Sequence, residues 1–196
     1  MEQRRKKFDL CIVFFVFSFI GFLYEVILSI ALNRICDPGF LVGPYLLVYG
    51  ITIVSVYLLL GSRKNKNGVI KIMTNHRKTN IVVTSIIYML ISGGIVTLVE
   101  LISAFALDVN FNVRLWDYSV IPMNYNGYIS IPTSLLWIFV IPIIMNFLFD
   151  PIYEVIKKIP FKVSMVVNIL LVIILFVDII FNVSFILLNG YSFRFI

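Results

Sequence analysis

IVVTSIIYMLISGGIVTLVELISAFAL, residues 81–107, holds a single charged side chain, Glu100, in an otherwise apolar run. At 1.5 Å per residue, a helix of this length exceeds a hydrocarbon core of about 30 Å, so the stretch reads as a membrane-spanning helix. Four more stretches read the same way: 8–32, 40–61, 130–149 and 163–188. A transmembrane barrel needs alternating segments of about ten residues, and none is visible. The expected fold is an all-α membrane protein, a five-helix transmembrane bundle forming one polytopic domain over 1–196. Composition agrees, with 61% apolar and only 13% charged residues. These values exclude a soluble enzyme, a disordered chain and a disulfide scaffold. Cys11 lies inside the first stretch and Cys36 beyond its end, too far apart to bridge.

The basic residues give an orientation. Arg4, Arg5, Lys6 and Lys7 precede the first span, and Arg63, Lys64, Lys66, Lys71, Arg77 and Lys78 separate the second from the third. Lys157, Lys158 and Lys162 separate the fourth from the fifth. Thirteen of the sixteen basic residues thus share one side, leaving Arg34, Arg114 and Arg194 for the other. The positive-inside rule then puts the N-terminus in the cytoplasm and the C-terminus outside. The length of the first span, and Glu25 within it, fit a retained helix rather than a cleaved signal peptide.

Ionisable groups at membrane depth are costly, at least about 2.5–3.5 kcal/mol at the centre on insertion scales, so each needs a reason. Glu25, Glu100 and Asp178 lie well inside the spans, each about 10–15 Å below the outer end. They are candidate substrate- or ion-binding groups, together with Tyr45 and Tyr49 on one face of the second span. Their neighbours at helical spacing are small or polar: Ser18, Gly21 and Ser29 around Glu25, Gly93, Thr97 and Ala104 around Glu100, and Asn182 and Asn189 near Asp178. Such stripes face other helices, with Gly21, Gly43, Pro44 and Gly93 as close-packing positions and Pro44 in a first helical turn. The competing reading is structural: each acid is a hydrogen-bonded clamp between helices. Pro142 is expected to kink the fourth span.

The outer loop, 108–129, is too aromatic for a flexible linker, with Trp116, Tyr118, Tyr125 and Tyr128. It also carries the turn signal Asn126-Gly127. It is expected to settle at the outer interface, with Arg114 within reach of Glu25 or Glu100.

No catalytic residues are expected. The one histidine, His76, lies in the basic 62–80 loop, and no set of residues has metal-ligand spacing or the makings of a nucleophilic triad. No phosphate-binding loop is present, and neither a cofactor nor nucleic acid is implied. The partner certain from composition is the lipid bilayer.

Three segments carry a family resemblance: SFIGFLYEVILS at 18–29, GFLVGPYLLVYG at 39–50, and VELISAFALDVNFNVRLWDYSVIPMNYNGYISI at 99–131. The last is the most specific, through Trp116-Asp117-Tyr118-Ser119, Pro122, Asn124 and Asn126-Gly127. Over about 8–150 the chain resembles a bacterial family of type IV ABC-transporter permeases (CmpB-like), while the fifth span looks generic. It departs from the family pattern at Phe22, Leu47 and Asp108-Val109, where Trp, Pro and a Leu-Glu pair are usual. The resemblance implies a multi-pass protein of the bacterial plasma membrane and a transport role. Five spans are few for a complete carrier, so a permease would need self-association or a separate ATPase subunit. The alternative is a non-transporting module (partner-binding, envelope or sensory) whose acids are structural.

Overall fold

Backbone N–H and C=O groups cannot stay unpaired in hydrocarbon, so apolar runs of this length close their hydrogen bonds internally as helices. The computed structural model describes residues 2–31, 40–62 and 80–189. Its elements are α1 (Glu2–Ala31), α2 (Leu47–Leu59), α3 (Ile81–Phe111), strands β1 (Asn124–Tyr125) and β2 (Ile129–Ser130), α4 (Ile131–Ile144), a π-helical turn (Met145–Phe149), α5 (Asp150–Ile156) and α6 (Phe161–Asn189). Among the described residues, four helices are long and apolar enough to cross a membrane: Arg4–Ala31, Ile81–Phe111, Ile131–Ile156 and Phe161–Asn189. The architecture is all-α, with one short antiparallel hairpin among the described residues. Arg34, Cys36, the basic residues of 63–78, His76 and Arg194 lie outside the described residues.

The stretch 40–61 departs from expectation. Only Leu47–Leu59 is helical, 13 residues or about 20 Å, short of a bilayer core. Gly43 and Pro44 therefore lie ahead of the helix instead of in its first turn. Proline has no N–H to give, and the other backbone donors of 42–46 all find partners. Val42 and Gly43 bond the carboxylate of Asp178, Tyr45 bonds Gly43 O at 2.8 Å, and Leu46 bonds Ser18 O of α1 at 3.0 Å. An irregular backbone among apolar helices survives because every donor is met.

The chain divides into two compact units. One comprises Met1–Ile51, Phe105–Leu115 and Ile156–Ile196; the other comprises Thr52–Ala104 and Trp116–Val155. In the first, α1 meets the 40–51 segment at its small residues. A Cβ on Gly21 would fall 2.3 Å from Tyr49 Cγ, and one on Gly50 would fall 2.4 Å from the backbone oxygen of Phe14. The helix α6 joins α1 through Asn168, which donates to Phe8 O at 3.1 Å. The end of α3 runs past the expected boundary at 107 to Phe111, and Asn112 at φ 51° closes it in the left-handed region.

In the second unit, the rings of Tyr57, Phe149 and Tyr153 pack against one another, and Val56, Leu60 and Met145 are buried. Pro142 stays inside its helix, and a π-helical turn begins three residues on. That turn delivers Asp150, 1% exposed, to Ser62 Oγ at 2.5 Å.

Candidate functional site

Glu100 belongs to the buried stripe of α3, Ser92, Gly93, Val96, Glu100 and Ala104, spaced by threes and fours. The stripe lets α4 come close. A Cβ on Gly93 would lie 2.4 Å from Ile138 Cγ1 and 3.1 Å from its Cα. This approach brings Trp137, the residue before Ile138, to the carboxyl: its indole Nε1–H donates to Glu100 Oε1 at 3.0 Å. Tyr118 from the loop donates its hydroxyl to the same oxygen at 3.3 Å. The other oxygen, Oε2, is buried with no hydrogen-bond partner among the described residues, and Glu100 as a whole is 5% exposed.

The loop that supplies Tyr118 is itself tightly bonded. Asn126 and Gly127, at φ 50° and 76°, form the turn between β1 and β2, closed by Tyr128 N–H on Tyr125 O at 3.0 Å. Turns with both central residues at positive φ suit hairpins, and Asn-Gly is their favoured pair. Asn124 binds the turn from inside, donating to Ser119 O and Ile121 O and accepting from Gly127 N–H. Trp116 Nε1–H donates to Tyr128 O at 2.8 Å, Asp117 accepts from Ser119 N–H at 2.8 Å, and Tyr118 N–H reaches Gly127 O at 2.9 Å. Ser130 then caps α4 through Thr133 N–H. The most specific motif in the sequence is thus the fastening of one loop, and Tyr118 is its projection toward Glu100.

Asp178, in the first unit, is surrounded differently. Its Oδ1 accepts from Val42 N–H at 3.0 Å and Asn182 Nδ2 at 2.6 Å. Its Oδ2 accepts from Gly43 N–H at 2.8 Å and the Tyr45 hydroxyl at 2.5 Å. Both oxygens are fully engaged in holding the irregular entry to α2. Asn189, in contrast, is exposed and donates to Phe185 O of its own helix at 2.9 Å. Glu25 is half-buried and accepts from the Tyr49 hydroxyl at 2.6 Å, with Tyr24 alongside Tyr49 at a ring distance of 6.3 Å. Tyr45 and Tyr49, four residues apart, therefore serve two different acids.

Arg114 has an acid partner at the end of α3. It pairs with Asp108 at 2.9 Å, which the longer α3 carries up to meet it. Among the described residues no cation pairs with Glu25, Glu100 or Asp178, and no three His, Cys, Asp or Glu side chains gather as a metal site.

Three partners carry no clear signal in the sequence: half-buried Trp137 and the buried acids Asp150 and Asp9. Trp137 had no signal beyond being one aromatic in an apolar span. Asp150 lay one residue beyond the expected end of span four. Asp9, 3% exposed and 3.9 Å from Arg5, sits one residue inside the first span and was masked by the basic cluster before it.

Residues 12–183 match the family model described as "Putative ABC-transporter type IV". The match runs beyond 8–150 and takes in most of α6, including Asp178 and Asn182, so the last helix is part of the pattern rather than generic. No curated protein and no solved structure matches the chain.

Proposed function

Because this chain belongs to the type IV ABC-transporter family, we propose that it is a permease component of the bacterial plasma membrane that works with a separate ATPase subunit and uses Glu100 as its binding group. The observation that carries this reading is the half-engaged carboxylate of Glu100: Oε1 holds two donors while Oε2 is buried and open. A polar oxygen left without a donor in an apolar interior is costly, so binding a proton or a small cation there is favourable. Tyr118 ties the 112–130 loop to the same carboxyl, which makes the loop a lid whose position depends on what Glu100 holds. The role is binding and passage, without bond-making chemistry. In this reading the N-terminus is cytoplasmic and the C-terminus outside, supported by the thirteen basic residues on one side. The short α2 and the 40–46 segment complete a fifth crossing.

Two experiments test it. Gentle crosslinking and purification in mild detergent, followed by mass spectrometry, is expected to recover a stoichiometric ATPase; recovery alone or as a homo-oligomer overturns the permease-subunit role. For any substrate whose uptake the wild type supports, Glu100→Gln is expected to abolish uptake while leaving the yield of folded protein unchanged. Unaltered uptake removes Glu100 from the site.

A second reading, a non-transporting membrane module with structural acids, is favoured by one observation: Asp178 has no oxygen to spare. We assign that role to Asp178 and leave the transport role to Glu100, with Glu25 and its two tyrosines as a second candidate cation contact.

A further inference from the structure

The start of α1 and the turn into α6 are fastened together. Arg5 donates its guanidinium to the carbonyl oxygens of Lys157 and Ile159, the ring of Phe8 meets that of Phe161 edge-on at 5.5 Å, and Asn168 bonds Phe8 O. Asp9, the buried acid beneath, pairs with Arg5 at 3.9 Å. The cations around this junction are not so engaged. Arg4, Lys7, Lys158 and Lys162 are exposed, and none meets an acid among the described residues. Bare apolar surface begins at the same level, since Phe161, Val163 and Val166 are all exposed on α6. Four uncompensated charges on a fixed two-helix junction, bordered directly by membrane-facing apolar side chains, match the two ends of one molecule.

We infer that the joined ends of α1 and α6 form a binding site for an anionic phospholipid, its phosphate among Arg4, Lys7, Lys158 and Lys162 and its acyl chains along the α6 surface that starts at Phe161. A soluble phosphate would use the charges and leave the apolar border without a role. A zwitterionic lipid would bring a cation of its own to a cluster of cations. Lysine stems lying along apolar surface with their ammonium groups at the headgroup level are the usual geometry for such contacts. The inference needs only that α1 and α6 span the bilayer and is independent of what Glu100 binds.

The test uses the full chain, delipidated in mild detergent and titrated with phosphatidylglycerol or phosphatidylcholine under native mass spectrometry. The wild type is expected to retain phosphatidylglycerol in preference to phosphatidylcholine. The variant K7Q/K158Q/K162Q is expected to lose roughly tenfold or more of that affinity, from the usual contribution of basic residues near anionic headgroups. The charge-keeping K7R/K158R/K162R is expected to retain it, as is the loop control K64Q/K66Q/K71Q. Equal binding of the two lipids overturns the inference, and so does an equal loss in the loop control or a loss in the arginine variant. It also fails if K7Q/K158Q/K162Q keeps its lipid but sheds a co-purifying protein subunit, which would make the patch a protein interface.

Discussion

Asp178 and Glu100 are both acids on the buried stripes of long apolar helices, yet their surroundings differ oxygen by oxygen. Each oxygen of Asp178 accepts two hydrogen bonds, two of the four coming from the backbone of an irregular segment. Glu100 gathers both of its donors on Oε1, while Oε2 is buried with no hydrogen-bond partner among the described residues. A charge whose every lone pair serves the fold has nothing left for a ligand, and removing it orphans its donors. A carboxyl bonded through one oxygen only contributes less to the fold. Carboxylates at membrane depth therefore cannot be given one role as a class.

The largest effect should come from the engaged acid. Asp178→Ala leaves Val42 N–H, Gly43 N–H and the Tyr45 hydroxyl without their acceptor, and should cost about 3 kcal/mol or more, since each buried donor left unmet costs about 1–3 kcal/mol. Unfolding of the purified variant in detergent measures it, and amide exchange should rise first at residues 42–46. Next comes the helix contact that builds the other site. Gly93→Val pushes against Ile138, including its backbone, and should cost about 1–3 kcal/mol. It should also draw Trp137 away from Glu100, seen as a change in tryptophan fluorescence that Trp137→Phe abolishes.

Smaller effects sharpen the contrast. Tyr45→Phe removes a 2.5 Å bond to Asp178 and Tyr118→Phe a 3.3 Å bond to Glu100. Interhelical hydrogen bonds in membranes average about 0.6 kcal/mol and reach about 1.7. Tyr45→Phe should fall at the upper end of that range and Tyr118→Phe at or below the average, by unfolding midpoints under identical conditions. Equal losses would blur the distinction between the two sites.

Much of this was legible in the chain. Long apolar runs fix the helices, and steps of three and four put Gly93, Glu100 and Ala104 on one buried face. The proximity of Asn182 to Asp178 follows from the same spacing. What the acids bond to was not legible, because Tyr45, Tyr118 and Trp137 reach them across tertiary contacts that no local period encodes. The interruption ahead of α2 was hidden because Gly43-Pro44 is compatible with either a first helical turn or a break. A carboxylate 135 residues away in sequence decides between them by taking the Gly43 N–H. The loop motif gave away its turn through Asn126-Gly127 and concealed its purpose, since Asn124 and Trp116 act on backbone carbonyls.

The division of roles is tested most directly by comparing the unfolding midpoints of Glu100→Gln and Asp178→Asn, purified side by side in one detergent. Glutamine keeps an acceptor for Trp137 and Tyr118 and turns its amide toward the side where no donor stands, so Glu100→Gln should unfold at or above the wild-type midpoint. Each oxygen of Asp178 accepts one backbone N–H, from Val42 or Gly43, so the NH2 group of an asparagine meets a donor that cannot accept whichever way it turns, and Asp178→Asn should unfold well below the wild-type midpoint. A Glu100→Gln midpoint as low as that of Asp178→Asn would make Glu100 a second clamp and contradict its assignment as the binding group.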